Sequence, residues 1–358
     1  MSIYLTFNRK KYKIENEVID KMLLIATADL HIRKVEDTSL LARILEAGKE
    51  RGAQALLIAG DLLDRPFLDA ETESAVRSLL AKAGMKVFLA AGNHDPLAVT
   101  SLYQNLPEGV YCFGEGLAGL TIGENIRLFG YSSAREQAED RPLQGFSAPA
   151  GGVNILLAHG QAEGGRDAFR PVSGEELAQS GLDLAILGHI HKGEQRRYGG
   201  CLLLVPGIPE GKGFDELGEK YIYLIDTASM HIEPISVAER VWREYPVDLS
   251  GCAEESEMLA RMEAVEIADH IIGRLILIGS PAADPAAAIG LYTARYGREV
   301  KNQTDPSLSV ELLRRQNTLQ GAFVRRAMAE IEGADPQDRP LLEEALRLGL
   351  EALKEARL

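Results

Sequence analysis

Five apolar runs in the first two hundred residues each end in a polar cluster, and no other feature of the sequence constrains the fold as strongly. The runs are MLLIATADLH (22–31), ALLIAGD (55–61), KVFLAAGNHD (86–95), NILLAHG (154–160) and LDLAILGHIH (182–191). Continuous apolar runs of this length are typical of strands in a sheet that is covered on both faces. The sequence therefore predicts a buried sheet whose strands carry polar side chains at their ends.

The segments between the first three runs have helical spacing. DTSLLARILEAGKERG and DAETESAVRSLLAKAG each end in a glycine that suits a helix C-cap. The resulting β-α-β-α-β order predicts right-handed crossovers and parallel strands. Ligands of such sheets bind outside the carboxyl ends of the strands. All five polar clusters lie at that end, so they can converge on one site.

The polar clusters have the composition of a metal site. Along the chain they read D-x-H, G-D-x-x-D, G-N-H-D, H-G and G-H-x-H, and they contain five of the seven histidines. Each motif alone has a structural explanation, such as a turn or a hydrogen-bonded histidine, and we interpret His231 and His270 in that way. Together they offer carboxylate, imidazole and amide donors without thiolate, a set that suits Mn²⁺, iron or Zn²⁺. A shared aspartate could hold two such ions about 3.5–4 Å apart.

These motifs resemble those of the calcineurin-like metallophosphoesterase superfamily and, within it, of the SbcD family of DNA repair nucleases. The resemblance implies an α/β fold built as a β-sandwich flanked by helices. It also implies two bound divalent metal ions, which we expect to be Mn²⁺. It assigns the following residues to the metals: Asp29, His31, Asp61 and His191 to one ion, and Asp61, Asn93, His159 and His189 to the other. It also implies that His94 is the catalytic histidine.

Asp64 departs from the nuclease pattern. Many SbcD-like nucleases have a histidine three residues after the shared aspartate, whereas this chain has GDLLDRP. In phosphatases of the superfamily, an aspartate at this position hydrogen-bonds the motif histidine. We therefore expect an Asp64–His94 pair in which the carboxylate orients His94 and raises its pKa, making it a better acid.

The remainder of the chain predicts further domains. The expected division is 1–21 as a leader or edge segment, 22–238 as the phosphoesterase domain, 239–305 as a small α/β capping domain and 306–358 as a C-terminal helical hairpin. The stretch PGIPEGKGFDELGEKYIYLID (206–226) resembles the one that follows GHxH in SbcD-like nucleases. The terminal helices resemble the segment of those nucleases that docks on the coiled coil of an SbcC-like ATPase, although packing on their own domain is the simpler interpretation.

Charge and cysteine content restrict the remaining possibilities. A formal net charge of −14 argues against nucleic-acid binding by broad phosphate neutralisation, but not against an enzyme whose positive charge is carried by metal ions. No apolar run reaches the length of a membrane span. Three widely separated cysteines argue against a disulfide framework and favour a reducing cytoplasm.

The leading hypothesis is a cytoplasmic, Mn²⁺-dependent DNA exo- or endonuclease of the SbcD type. The resemblance also implies that the chain forms a homodimer and binds an SbcC-like ATPase. One alternative is a phosphatase or small-nucleotide phosphodiesterase of the same superfamily, which the acidic charge and Asp64 favour. Another is a non-catalytic subunit of a coiled-coil ATPase, and the presence of a suitable residue at every ligand position argues against it.

Overall fold

The computed structural model describes residues 21–163, 169–305 and 310–355. The predicted leader or edge segment therefore lies outside the described residues, apart from Lys21. The chain divides into two compact units at the step from Val241 to Trp242.

The first unit contains the five predicted strands. Its strands are β1 (Leu23–Thr27), β2 (Ala55–Ala59), β3 (Lys86–Ala90), β4 (Val110–Cys112), β5 (Ala118–Gly123), β6 (Ile126–Tyr131), β7 (Val153–His159), β8 (Leu184–Gly188), β9 (Glu194–Tyr198), β10 (Cys201–Val205), β11 (Ile222–Asp226) and β12 (His231–Ile235). Its helices are a 3-10 turn at Val35–Asp37, α1 (Thr38–Glu50), α2 (Ala70–Ala81), α3 (Ser101–Gln104) and α4 (Gly174–Gln179). The helices α1 and α2 occupy the two segments that the sequence predicted as crossovers.

These strands form two six-stranded sheets rather than one. The first has the order β12-β11-β1-β2-β3-β4, and β1 to β4 are parallel within it. The second has the order β5-β6-β7-β8-β10-β9, and β6, β7, β8 and β10 are parallel. The five predicted strands are thus split between the sheets, with β1, β2 and β3 in one and β7 and β8 in the other.

The continuous apolar runs follow from this layering. Alternate residues of a strand point to opposite faces. Leu57 of β2 lies in the core between the sheets with Leu157 of β7, whereas its neighbour Ile58 packs on the outer side with Ile44 of α1. A third cluster covers the outer face of the second sheet, where Leu187 packs with Leu177 of α4. Both faces of each sheet are buried, so the predicted α/β class with helix-flanked sheets is confirmed.

The second unit begins with a small α/β module. It contains β13 (Val241–Asp248), α5 (Glu255–Glu263), β14 (Ile271–Ile278), α6 (Ala286–Tyr296) and β15 (Val300–Asn302). The strands form one sheet in the order β13-β14-β15, and the helices pack on it through Met258 and Tyr292.

Three helices follow in the described part of the C-terminal region. They are α7 (Val310–Arg315), α8 (Leu319–Gly333) and α9 (Arg339–Glu355). Val324 and Ile331 of α8 pack against Leu346 and Leu350 of α9, with Leu313 of α7 in the same cluster. The structure therefore adds a short helix in front of the predicted hairpin.

Cys112, Cys201 and Cys252 are free thiols, and Cys201 and Cys252 are buried. Among residues 21–163, 169–305 and 310–355, no helix has both the length and the apolar character needed to cross a membrane.

Candidate metal centre

All seven predicted metal ligands lie at the carboxyl ends of strands in the first unit. Asp29 and His31 follow β1, Asp61 follows β2, Asn93 follows β3, His159 ends β7, and His189 and His191 follow β8. The exits of β1 and β2 are joined by backbone bonds, because Asp29 N donates to Gly60 O at 3.0 Å and His31 N donates to Asp61 O at 2.9 Å. The carboxyl ends of both sheets thus contribute to one cluster of side chains.

Four of these residues have left-handed backbone conformations. The φ angles are 54° at Asp29, 46° at His31, 47° at Asp61 and 95° at His189. Residues other than glycine seldom adopt such angles, and the strain is of the order of 1–3 kcal/mol for each. The strand exits are therefore shaped to aim these side chains at a common point, at a cost that the surrounding sheets offset.

The first donor group consists of Asp29, His31 and His191, whose ligand atoms lie within 4.8 Å of one another. His31 Nε2 and His191 Nε2 are only 3.2 Å apart. Two imidazole nitrogens that face each other at this distance can share one proton or one cation. This group matches three of the four residues that the resemblance assigned to one metal.

The second donor group surrounds Asn93. Its Oδ1 lies 3.0 Å from His159 Nε2 and 3.1 Å from His189 Nδ1. His159 Nδ1 lies 2.9 Å from Ala59 O, which only accepts, so that nitrogen carries the proton and Nε2 is left as the ligand atom.

Asp61 lies between the two groups. Its Oδ2 is 3.4 Å from His159 Nε2 and 3.8 Å from His31 Nε2. The other oxygen, Oδ1, accepts a hydrogen bond from His94 N at 2.9 Å. Because one carboxylate oxygen reaches the donor atoms of both groups, Asp61 has the position that a shared ligand requires.

Burial determines the charge state of the cluster. Asp29 is almost fully buried, and burial raises its pKa to about 6. Burial also lowers the pKa of His31 to about 4. For His159, burial is the largest single influence and lowers the pKa, but the charges of Asp61 and Asp29 and the hydrogen bonds to Asp61 and Ala59 O together raise it to about 9. A divalent cation would stabilise the buried carboxylates that the protein environment alone disfavours.

The donor set fits divalent metals. Carboxylate, imidazole and amide oxygen converge here, and no thiol is among the predicted ligands. His31 Nδ1 is buried and has no hydrogen bond within the described residues, although it lies 3.3 Å from Asp64 Oδ1. The chemistry of the donors and their mutual distances agree with two adjacent cation positions.

The predicted hydrogen bond between the Asp64 carboxylate and His94 is wrong. His94 Nδ1 instead lies 3.1 Å from the backbone carbonyl oxygen of Asp64. The Asp64 carboxylate turns to Arg33, whose Nε is 2.8 Å from Oδ2 and whose Nη2 donates to Oδ1 at 3.0 Å. A guanidinium binds both carboxylate oxygens at once, which is why it orients this side chain.

A cleft of about 600 Å³ opens beside His94. Arg65 and Arg135 line it together with Pro66 and Val99. Both arginines are exposed. Neither makes an ion pair or a hydrogen bond through its guanidinium within the part of the chain that the structure describes. The cleft therefore offers two guanidiniums next to the proposed catalytic histidine, together with the one exposed carboxylate of Glu136.

Three residues at the centre were not singled out from the sequence. Glu216 Oε1 lies 2.7 Å from His191 Nδ1, and Lys212 Nζ donates to Leu30 O at 2.8 Å. The ring of Phe169 lies against His189, with 5.1 Å between centroids. Lys212 and Glu216 lie within the stretch 206–226 whose resemblance was noted from the sequence, but that resemblance assigned neither of them a role, and Phe169 lies in no motif.

Residues 22–193 match the family model described as calcineurin-like phosphoesterase. Among curated proteins, the chain is similar to YhaO of Bacillus subtilis (strain 168), described as an uncharacterized metallophosphoesterase, with 25% identity over 236 residues. That match covers 62% of this chain and 57% of the relative, so the chain spans little more than half of the relative's length.

The solved structures to which the chain is similar include TT1561 of Thermus thermophilus, with 14% identity, a TM-score of 0.42, and coverage of 61% of this chain and 100% of that one. A novel archaeal phosphodiesterase has 14% identity and a TM-score of 0.38, with coverage of 60% and 99%. A dimetal phosphatase from Danio rerio has 11% identity and a TM-score of 0.39, with coverage of 60% and 99%.

Proposed function

We propose that the chain, whose residues 22–193 match the family model described as calcineurin-like phosphoesterase, is a two-metal phosphodiesterase that cleaves DNA with Mn²⁺, as an SbcD-type nuclease subunit. The observation that carries this proposal is the position of Asp61, whose Oδ2 reaches His31 on one side and His159 on the other. Two divalent cations held by this donor set supply positive charge that offsets the charge of a phosphodiester, and they make a bound water more acidic.

His94 is the proton donor in this proposal. The Asp64 carbonyl can only accept, so His94 Nδ1 carries a proton and its ring orientation is fixed by that bond. Nε2 is then the atom that holds the second proton of the imidazolium. It delivers this proton to the sugar oxygen that leaves when the phosphodiester is cleaved.

The cleft beside His94 favours a polynucleotide over a phosphomonoester. Arg65 and Arg135 lie near the point where the leaving group departs, and their guanidiniums suit the phosphates that flank the scissile one. A phosphomonoester has no such flanking phosphate. The strongly acidic chain would otherwise repel DNA, so these two charges are where we expect DNA to gain affinity.

The test compares hydrolysis of single- and double-stranded DNA with hydrolysis of phosphomonoesters and cyclic nucleotides. Each assay is run with Mn²⁺ and with EDTA. We expect metal-dependent DNA cleavage that Arg65→Gln and Arg135→Gln weaken through KM, with cyclic nucleotide hydrolysis changed little. Faster hydrolysis of phosphomonoesters or cyclic nucleotides than of DNA would favour the alternative phosphatase or small-nucleotide phosphodiesterase.

The partner in this proposal is the coiled coil of an SbcC-like ATPase, which binds the outer face of α9. Leu341 and Leu348 are 72% and 51% exposed and are seven residues apart, with Ala345 and Ala352 exposed on the same face. A seven-residue apolar repeat is what a partner helix of a coiled coil requires. This face is distinct from the one that packs through Leu346 and Leu350 on α8.

A copurification experiment tests this partner. We expect Leu341→Glu with Leu348→Glu to abolish binding to the ATPase coiled coil, whereas Glu344→Lys, on a neighbouring exposed position, leaves binding largely intact. Light scattering on the same samples reports whether the chain alone is the expected homodimer. Unchanged binding by the double variant would exclude this face as the contact.

A further inference from the structure

We propose that residues 212–216 form a clamp that positions one of the two metal sites, the one made by Asp29, His31 and His191. The proposal deepens the two-metal function and rests on it. Glu216 orients the ring of His191 from one side of this site. Lys212 fixes the backbone that carries Asp29 and His31 from the other side.

Glu216 supplies the hydrogen bond that determines the ligand atom of His191. Its Oε1 lies 2.7 Å from His191 Nδ1. The His191 side chain is 44% exposed, whereas that of Glu216 is only 12% exposed, so the carboxylate is held more firmly than the ring that it orients. With the proton on Nδ1, Nε2 is the free donor atom, and it is the atom that faces His31 Nε2 at 3.2 Å.

Lys212 holds the opposite side of the same site. Its Nζ donates to Leu30 O at 2.8 Å and to His31 O at 2.5 Å. These carbonyls belong to the segment in which Asp29 and His31 have left-handed φ angles. An ammonium group bound to two adjacent carbonyls stabilises that strained backbone, because the chain must keep this shape for both carbonyls to reach it.

The two halves of the clamp are joined. Lys212 N donates to Glu216 Oε2 at 2.8 Å, while the other oxygen of the same carboxylate binds His191. The turn therefore connects the exit of β1 to the exit of β8, and it makes the position of His191 depend on that of His31. Breaking either contact loosens the same metal site.

The other metal site, which contains Asn93, His159 and His189, is held in place differently. His159 is fully buried in β7, and its Nδ1 bonds to Ala59 O of the neighbouring sheet at 2.9 Å. His159 is thus positioned by the core itself, and Asn93 Oδ1 lies 3.0 Å from its Nε2. We infer that loss of the clamp weakens one metal position selectively and leaves the other close to its original affinity.

The experiment is a titration of the metal-free full chain with Mn²⁺ alone, followed by electron paramagnetic resonance and calorimetry. The variants are Glu216→Ala, Glu216→Gln and Lys212→Met. Asp215→Asn is the matched control, because it removes the adjacent, exposed carboxylate and the same unit of charge. Thermal unfolding of each metal-free variant shows that it is folded.

For the unaltered chain and for Asp215→Asn we expect two bound ions. Glu216→Ala should weaken one of them about 10- to 100-fold, the range for loss of a residue that orients a metal-binding histidine. Lys212→Met should weaken the same ion. Glu216→Gln should have an intermediate effect, because its amide oxygen can replace only one of the two acceptor oxygens.

Equal weakening of both ions, or no weakening in Glu216→Ala and Lys212→Met, would overturn the proposal. Because the titration uses no substrate, its outcome is independent of whether DNA is cleaved. Selective loss of one ion in a chain that does not cleave DNA would support the clamp and refute the nuclease. If the unaltered chain cleaves DNA but the variants weaken both ions equally, the nuclease is supported and the clamp is refuted.

Discussion

His94 Nδ1 lies 3.1 Å from the backbone carbonyl oxygen of Asp64, whereas the Asp64 carboxylate binds Arg33 and lies beside His31. The residue that the sequence paired with the proposed catalytic histidine therefore acts on it through the main chain. A backbone carbonyl orients an imidazole as a carboxylate does, but it brings no full negative charge. A substitution of the Asp64 side chain therefore removes its negative charge but keeps the carbonyl that orients His94.

Asp64→Asn should leave the proton donor almost unchanged. The carbonyl that binds His94 remains, so the ring should keep its orientation and kcat on DNA at saturating Mn²⁺ should change little. The substitution does remove the negative charge beside His31, and Mn²⁺ affinity at that position should fall about tenfold. A large fall in kcat at saturating Mn²⁺ would show that the carboxylate acts on His94 directly.

His94→Ala should remove turnover without removing the metals. Loss of a general acid typically lowers the rate 10²- to 10⁴-fold. Its backbone N–H, which donates to Asp61 Oδ1, is retained in the variant, so Asp61 should keep its orientation. The measurement is kcat on a DNA substrate together with Mn²⁺ stoichiometry by mass spectrometry. Loss of an ion in this variant would identify His94 as a ligand.

Asp61→Asn should weaken both metal positions, in contrast to Asp64→Asn. Asp61 Oδ2 lies 3.4 Å from His159 Nε2 and 3.8 Å from His31 Nε2, so one carboxylate serves both donor groups. An asparagine lacks the negative charge and offers a single acceptor oxygen. We expect a calorimetric titration with Mn²⁺ to show two ions that both bind more weakly than in the unaltered chain. One ion retained at full affinity would show that Asp61 belongs to a single site.

Metal affinity should rise with pH. Metals bind the deprotonated ligands, and the pKa of His159 is about 9 because the charges of Asp61 and Asp29 and the hydrogen bonds to Asp61 and Ala59 O together outweigh its burial. Between pH 6 and 9 one proton must therefore leave His159, and affinity should rise about tenfold per unit. Below about pH 6 the Asp29 carboxyl, whose pKa burial raises to about 6, also takes up a proton and steepens the dependence. Calorimetry in two buffers of different ionisation enthalpy measures the protons released, and a pH-independent affinity would contradict this.

Much of the centre could be predicted from the sequence because strand ends are local features. Apolar runs ending in Asp61, Asn93 or His159 indicate both the strands and the edge at which ligands collect. The apolar pattern alone could not indicate that these strands divide between two sheets, since runs buried on both faces look alike in either arrangement. The two-sheet sandwich was implied only by the resemblance of the motifs. The site still forms, because the carboxyl ends of both sheets meet where Ala59 O binds His159.

Other parts of the centre depend on tertiary contacts that have no local pattern. The rotamer of Asp64 follows from Arg33, thirty-one residues away, and the orientation of His191 follows from Glu216, twenty-five residues away. The left-handed φ angles of Asp29 and His189 are likewise imposed by the surrounding fold, because aspartate and histidine tolerate such angles better than most residues other than glycine but do not adopt them by default. Contacts of this kind can be identified only once the chain is folded.

Gly188→Ala should damage the second metal site through the backbone. A Cβ atom at Gly188 would lie 1.8 Å from Ala59 O and 2.8 Å from His159 Nδ1, which is the pair whose hydrogen bond sets the ligand atom of His159. Overpacking of this kind costs about 1–3 kcal/mol of unfolding free energy, and here it must also displace His159. We expect a lower melting temperature and weaker binding of one Mn²⁺ ion. Gly200→Ala is the control, because no atom lies within 4 Å of its added Cβ. Equal metal binding by both variants would show that the close approach of β2 and β8 is not needed to hold His159.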